Sequence, residues 1–182
     1  LYSELVTQDS PLLGIEPSAI LTFQDEYPKL SSFSEASQRL ASNSMLVETF
    51  IAKEAEAGVI KSKHFHKDAK EINIHAHCYQ KALGKPFETF QILNLPINYS
   101  VTLLNTGCCG MAGSFGYEKE HYEVSMKVGE ERLFPAVRKA ASETLIAANG
   151  TSCRHQILEG TGRQSLHPIS ILYQALIKKN NS

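Results

Sequence analysis

Three runs of β-branched and apolar residues, each followed by a stretch of helical spacing, predict an α/β fold built on a parallel sheet. They are "KEINIHAHC" (70–78), "YSVTLLNTG" (99–107) and "TLIAANG" (144–150). With a fourth short run near the N-terminus, about four mostly parallel strands are expected. Helices on both faces would complete a Rossmann-like three-layer arrangement. The length of 182 residues suits a single α/β domain over residues 1–182, large enough to close a core without disulfides.

Taken in order, the first residues, "LYSELVTQDS", read as the end of a helix and a turn. Residues 11–15 form a short apolar strand that stops at Glu16 and Pro17, and a helix over about 18–30 carries Ile20, Leu21 and Phe23. A long helical segment, "FSEASQRLASNSMLVETFIAKEAEAG", places Leu40, Val47, Phe50 and Ile51 on one side, with a break or second cap at Ser42, Asn43 and Ser44. Gly58 is its natural stop. His64 and His66 belong to a solvated turn. Ile72 and Ile74 then alternate with polar neighbours, so this strand delivers His75, His77 and Cys78 to its end. Helices are expected over 80–93, 117–131 and 167–178, with Pro135 restarting a helix after Gly129.

Eighteen basic against nineteen acidic side chains leave a formal net charge of −1. That balance gives no electrostatic footprint for nucleic acid or an anionic membrane. No apolar run is long enough to span a bilayer, and Leu1 opens without the basic and apolar parts of a secretory leader, so a cytoplasmic setting is expected. The opening also reads as an excised piece of a longer polypeptide.

The four cysteines, Cys78, Cys108, Cys109 and Cys153, all fall just after strand-like runs, where open parallel sheets bind their ligands. The central stretch "TGCCGMAGSFG" has glycine at 107, 110, 113 and 116. That spacing matches neither the dinucleotide fingerprint nor the phosphate loop. Soft thiolates suit zinc, copper(I) or iron–sulfur clusters, and glycines let the backbone aim N–H groups at cluster sulfurs. The sequence separations are far from zinc-ribbon or ferredoxin spacings, so only the fold can assemble one site. Small buried residues, a vicinal disulfide and a reactive thiolate are the competing readings. His75, His77 and His155 are candidates to steer a ligand from behind the thiols. Asp25 and Glu26 read as an exposed helix end.

The segments "HAHCYQKAL", "NTGCCGMAGSFGYEKEHYEVSMKVGEERLFPAVR", "GTSCRHQI" and "HP" together resemble the cysteine-rich CCG domain at the C-terminus of fused FAD-linked oxidase and iron–sulfur oxidoreductases. That family includes D-2-hydroxyglutarate and D-lactate dehydrogenases and is similar to the iron–sulfur subunit of glycolate oxidase and to heterodisulfide reductase. The resemblance runs from "LLGIEPSAILTFQDEYP" to the last helix. It implies an iron–sulfur electron-transfer module of a flavin-dependent 2-hydroxy-acid oxidoreductase, with Cys78, Cys108, Cys109 and Cys153 as cluster ligands. The flavin and ferredoxin-like domains of a parent chain would be its partners, and FAD would belong to that full-length protein. Zinc in the same thiols, in a structural docking domain, and metal-free thiol redox chemistry are the alternatives. Two departures stand out: Gln156 occupies the position that would complete a terminal CxxC, and Ala19 stands where relatives read "EPSC". Only the second of two CCG motifs is present, so the chain is expected to be a C-terminal fragment, not catalytic alone.

Overall fold

The computed structural model describes residues 4–31, 34–83 and 86–178. Strand β1 (Leu12–Gly14) leads into α1 (Pro17–Ile20), with Pro17 in the first turn, where its missing N–H costs nothing. The single helix expected over 18–30 is divided: α1 passes into a 3₁₀ turn (Leu21–Phe23) and then α2 (Glu26–Leu30). Pro28 cannot lie deep in a helix, and it sits in the first turn of a new one. Helix α3 (Glu35–Ser42) is capped by Ser34, whose hydroxyl accepts from the Ser37 amide at 3.2 Å. Phe33, the start of the long segment read from the sequence, lies outside the described residues, as do residues 1–3. The break at 42–44 is a change of structure: β2 (Ser44–Leu46) interrupts the expected helix before α4 (Val47–Glu56).

Strand β3 (Lys70–His75) is followed by α5 (Cys78–Ala82) and α6 (Pro86–Leu93), so the helix expected over 80–93 is two, the second opened by proline. After β4 (Tyr99–Leu103) comes α7 (Tyr122–Lys139), continuous through Pro135. This corrects the expected restart. Pro135 faces solvent, and Gly129 is a packing glycine rather than a stop: a Cβ there would lie 2.3 Å from Cζ of the Phe134 ring. The same ring meets Gly160 of α8 (Thr151–Thr161), so two glycines make room for one phenyl between α7 and α8. Strand β5 (Leu145–Ala148) precedes α8, and α9 (Pro168–Ala175) ends earlier than expected because Leu176 turns to bridge Phe65.

All strand pairing within the two sheets is parallel, with orders β1-β2 and β4-β3-β5. The architecture is therefore α/β, and among the described residues five strands are divided between two sheets instead of about four in one. Between the sheets runs residue 166, whose backbone bonds both Ile146 and Ala148, while the His167 side chain reaches the Ile15 carbonyl at 2.9 Å. Successive residues of β5 sort the layers. Ala147 packs with Ile72 and Ile74 of β3 against α4, α6 and α9, whereas Ile146 and Ala148 pack against Leu133, Phe134 and Val137 of α7 and Ile157 of α8. Both faces of the three-stranded sheet are thus covered, the expected layering.

Candidate functional site

Parallel strands end on one edge, and that edge collects the cysteines. Cys78 opens α5 just beyond β3, Cys108 and Cys109 lie in the loop beyond β4, and Cys153 sits in the first turn of α8 beyond β5. All four are free thiols; Cys78 is exposed, Cys108 half-buried, Cys109 and Cys153 buried. They lie within electrostatic reach of one another: Cys78 with Cys108 and Cys153, Cys108 with Cys109, and Cys109 with Cys153. Among the described residues no three His, Cys, Asp or Glu side chains converge as a cage for a single metal ion.

Proton sharing along this row alternates. Hydrogen bonds from Cys109 and Cys78 hold Cys108 far below the ordinary thiol range, and the bond from Cys109 does the same for Cys153, against the cost of its burial. Donation to Cys108 keeps the proton on Cys78, and donation to Cys108 and Cys153 keeps it on Cys109. The titration belongs to the row as a whole. Backbone N–H groups add to it: Gly110 donates to the Cys108 sulfur at 3.3 Å, and the Met111 amide bonds Cys109.

Local backbone explains why the motif reads as it does. Gly110 has φ +96°, and a Cβ there would stand 2.0 Å from the Ser125 carbonyl oxygen, so both conformation and space demand glycine. Gly150 is required for a different reason: a Cβ would fall 2.5 Å from Cδ2 of His77 and 3.2 Å from the Cys153 sulfur. Lys81, one turn along α5 from Cys78, donates to the Thr106 carbonyl at 2.6 Å and to the Gly107 carbonyl at 3.1 Å. Burial lowers its pKa while all four thiolate positions act to raise it, so one ammonium faces the whole row. Glu16 spans the two sheets: its carboxylate accepts the Thr151 amide at 2.8 Å at the start of α8. Burial opposes its charge, but that bond and those from Ser18 outweigh it and hold its pKa below the usual value.

The three histidines divide. His75, at the end of β3, is buried against Cys153, with its Nδ1 2.7 Å from Thr106 Oγ1. His77 is the N-cap of α5, its Nδ1 accepting from the Tyr79 amide at 3.1 Å, and its ring lies within electrostatic reach of Cys153. His155 is not brought to the thiols. Two residues after Cys153 on a helix, it faces the opposite way, is exposed, and pairs with the Tyr117 hydroxyl at 2.8 Å beside a hollow of about 410 Å³. Gln156 is buried and donates to Ser125 Oγ at 2.8 Å, bracing the loop around Gly110. His64 is half-buried and His66 exposed. Asp25 pairs with Lys29, and Glu26 accepts from the Tyr79 hydroxyl.

Behind the thiols lies a polar group that no sequence signal marked. Glu48 of α4 is fully buried, and Asn149, just before Gly150, donates its amide to Glu48 Oε1. Glu48 Oε2 and Asn149 Oδ1 are both buried and unpaired. A carboxylic acid at Glu48 would give Oε2 a proton to donate and remove an uncompensated buried charge. Burial accordingly pushes the Glu48 pKa up to about 7.

The fold and site define a thiol-clustered α/β module. No family model matches the chain, and no solved structure does. Over 167 residues the chain is 26% identical to a subunit of the anaerobic glycerol-3-phosphate dehydrogenase of Escherichia coli strain K12, covering 91% of this chain and 40% of that protein. Over 171 residues it is 28% identical to the D-2-hydroxyglutarate dehydrogenase of Pantoea ananatis, covering 91% of this chain and 16% of that one. The Pseudomonas putida D-2-hydroxyglutarate dehydrogenase is 26% identical over 166 residues, with 90% of this chain and 15% of that protein covered. The likeness to D-2-hydroxyglutarate dehydrogenases expected from the motifs thus extends along nearly the whole chain, which spans less than half the length of each of these relatives. Among the described residues no helix is long and apolar enough to cross a membrane.

Proposed function

We propose that this chain is the iron–sulfur electron-transfer module of a larger flavin-dependent oxidoreductase, not catalytic by itself. Cys78, Cys108, Cys109 and Cys153 would hold the cluster, which when bound accepts and releases electrons. The observation that carries this reading is the row of four neighbouring thiols at one sheet edge, met by backbone N–H groups and one ammonium. A row suits a cluster of several irons, each taking its own thiolate, whereas tetrahedral zinc requires ligands that converge on one point. The donor set is soft throughout, as iron–sulfur ligation requires. Lys81 offsets part of the negative charge such a group brings.

Two relatives named for different substrates, glycerol 3-phosphate and D-2-hydroxyglutarate, share this segment. What they share is then electron handling rather than substrate recognition, and the hydroxy acid is chosen in another domain. The flavin, as FAD, and ferredoxin-like clusters of the parent protein would be its electron donors. The setting would be cytoplasmic.

Anaerobic reconstitution with iron and sulfide tests the reading, followed by iron, sulfide and zinc analysis and electron paramagnetic resonance of the reduced sample. Bound iron and sulfide that disappear in Cys108→Ser are expected. Stoichiometric zinc without sulfide, or a metal-free protein that cycles a thiol pair, would overturn it.

A further inference from the structure

Two of the four thiols stand on a stretch of backbone that the sheet does not hold. The last bond on the β4 side runs from the Leu104 amide to the Ile74 carbonyl at 2.9 Å, and among the described residues none of residues 105–110 makes a backbone–backbone hydrogen bond. A loop without such bonds keeps its shape through its side chains and through what other side chains do to it. On either side it is held: the Thr106 hydroxyl meets His75 Nδ1 at 2.7 Å, and Cys109 is buried with Met111 while Cys108 packs against that cluster. Between them Gly107 is exposed, and a Cβ built there would meet nothing within 4 Å. The corner that leads into Cys108 is therefore not fixed by packing at its own α-carbon.

Lys81 reaches that corner. Its Nζ donates to the Thr106 carbonyl at 2.6 Å and to the Gly107 carbonyl at 3.1 Å. The Gly107 carbonyl belongs to the same peptide unit as the Cys108 N–H, so the ammonium grips the bond from which the thiol is carried. Lys81 and Cys78 are three positions apart in α5, neighbours on one side of the helix. Helix α5 is itself anchored: His77 Nδ1 accepts from the Tyr79 amide, Gln80 Oε1 accepts from the His77 amide at 3.1 Å, and the buried Gln80 donates to Thr89 Oγ1 at 3.3 Å. Lys81 thus ties a fixed arm of the site to a loosely held one. Carbonyls of consecutive residues that converge on one nitrogen suit an ammonium, a point charge with three rotatable donors.

We propose that Lys81 is the clamp of the thiol site: by bonding the Thr106 and Gly107 carbonyls from the helix that carries Cys78, it sets the position of Cys108 and Cys109 relative to Cys78 before any metal arrives. It is a positioning residue, not a ligand. Its second effect rests on the iron–sulfur reading above. A positive charge held beside the loop favours the reduced, more negative cluster and so raises the reduction potential.

The test has two arms. In the first, backbone ¹⁵N relaxation is measured on the metal-free chain. Order parameters for residues 105–110 are expected near the rigid value of about 0.85 in the wild type and below about 0.6 in Lys81→Met, with Lys81→Arg returning them toward the wild type. A loop already mobile in the wild type, or one equally rigid in Lys81→Met, would overturn the clamp. So would a Lys81→Met chain that loses its native circular dichroism, because the clamp acts on the loop and not on the core. In the second arm each chain is reconstituted anaerobically with iron and sulfide and titrated with paramagnetic resonance detection. Lys81→Met is expected to bind less iron, and the cluster it does bind to titrate at lower potential; Lys81→Arg should recover both. Full iron content at an unchanged midpoint would overturn the role at the cluster. Failure of the wild type to take up iron and sulfide would sink the electron-transfer reading while leaving the first arm to judge the clamp.

Discussion

The buried carboxyl of Glu48, bonded by Asn149, makes the stability of this protein depend on pH in a predictable direction. Glu48 is buried beside the Thr89 and Asn149 side chains, with Glu88 raising its proton affinity further and His167 Nε2 3.6 Å from its Oε1. Its pKa rises from the ordinary 4.5 to about 7. Below pH 4.5 the group is protonated whether the chain is folded or not. Between 4.5 and about 7 only the folded state keeps the proton, so stability is lost as pH rises through this window and is level above it. At about 1.4 kcal/mol per tenfold change in proton affinity, the interval corresponds to roughly 3 kcal/mol. Glu48→Gln keeps a carbonyl for Asn149 Nδ2 and removes the titrating proton. Urea unfolding of both proteins should give similar stability at about pH 4.5 and a variant more stable by about 3 kcal/mol at about pH 8. Carboxylates remote from Glu48 titrate alike in both proteins and cancel in the difference. Parallel stability profiles across this range would refute the buried, protonated Glu48.

Three further outcomes follow from the packing. Gly110→Ala forces a side chain into φ +96° and onto the Ser125 carbonyl; a loss of at least about 2 kcal/mol in urea unfolding is expected, with reduced iron uptake on reconstitution. Glu16→Gln removes the charge that binds the α8 N-terminus. It should cost about 1 kcal/mol at about pH 7. Because the Glu16 pKa is depressed, the cost is full above the unfolded value and fades as pH falls through the folded one, which a denaturation series at decreasing pH would read. Gly160→Ala drives a methyl against Phe134 and should destabilise by about 1–3 kcal/mol despite its better helix propensity. Adding Phe134→Leu to it should cost less than the two single changes together, a coupling measured by a double-mutant cycle.

Periodicity and punctuation along the sequence determined the α/β class, the three strands of the larger sheet and the convergence of the cysteine loops on one edge. Those are properties of local pattern: strands of β-branched residues, glycine and proline at their ends, and a topology rule that puts parallel strand ends together. Where local signals compete, only tertiary structure decided. Ser44, Met45 and Leu46 carry a helical pattern, yet pairing with Leu12, Leu13 and Gly14 draws them into a strand. Pro135 stays within α7 because its missing bond falls on the solvent face while Leu133, Phe134 and Val137 hold the other. His155 looked equivalent to His75 and His77 by its distance from a cysteine, and the helical rotation of α8 sent it to the other side. Glu48, Asn149, Thr106 and Lys81 carry no motif at all. Their roles arise from residues distant in sequence brought together in a dry interior, where an unpaired oxygen or nitrogen must find a proton or a partner.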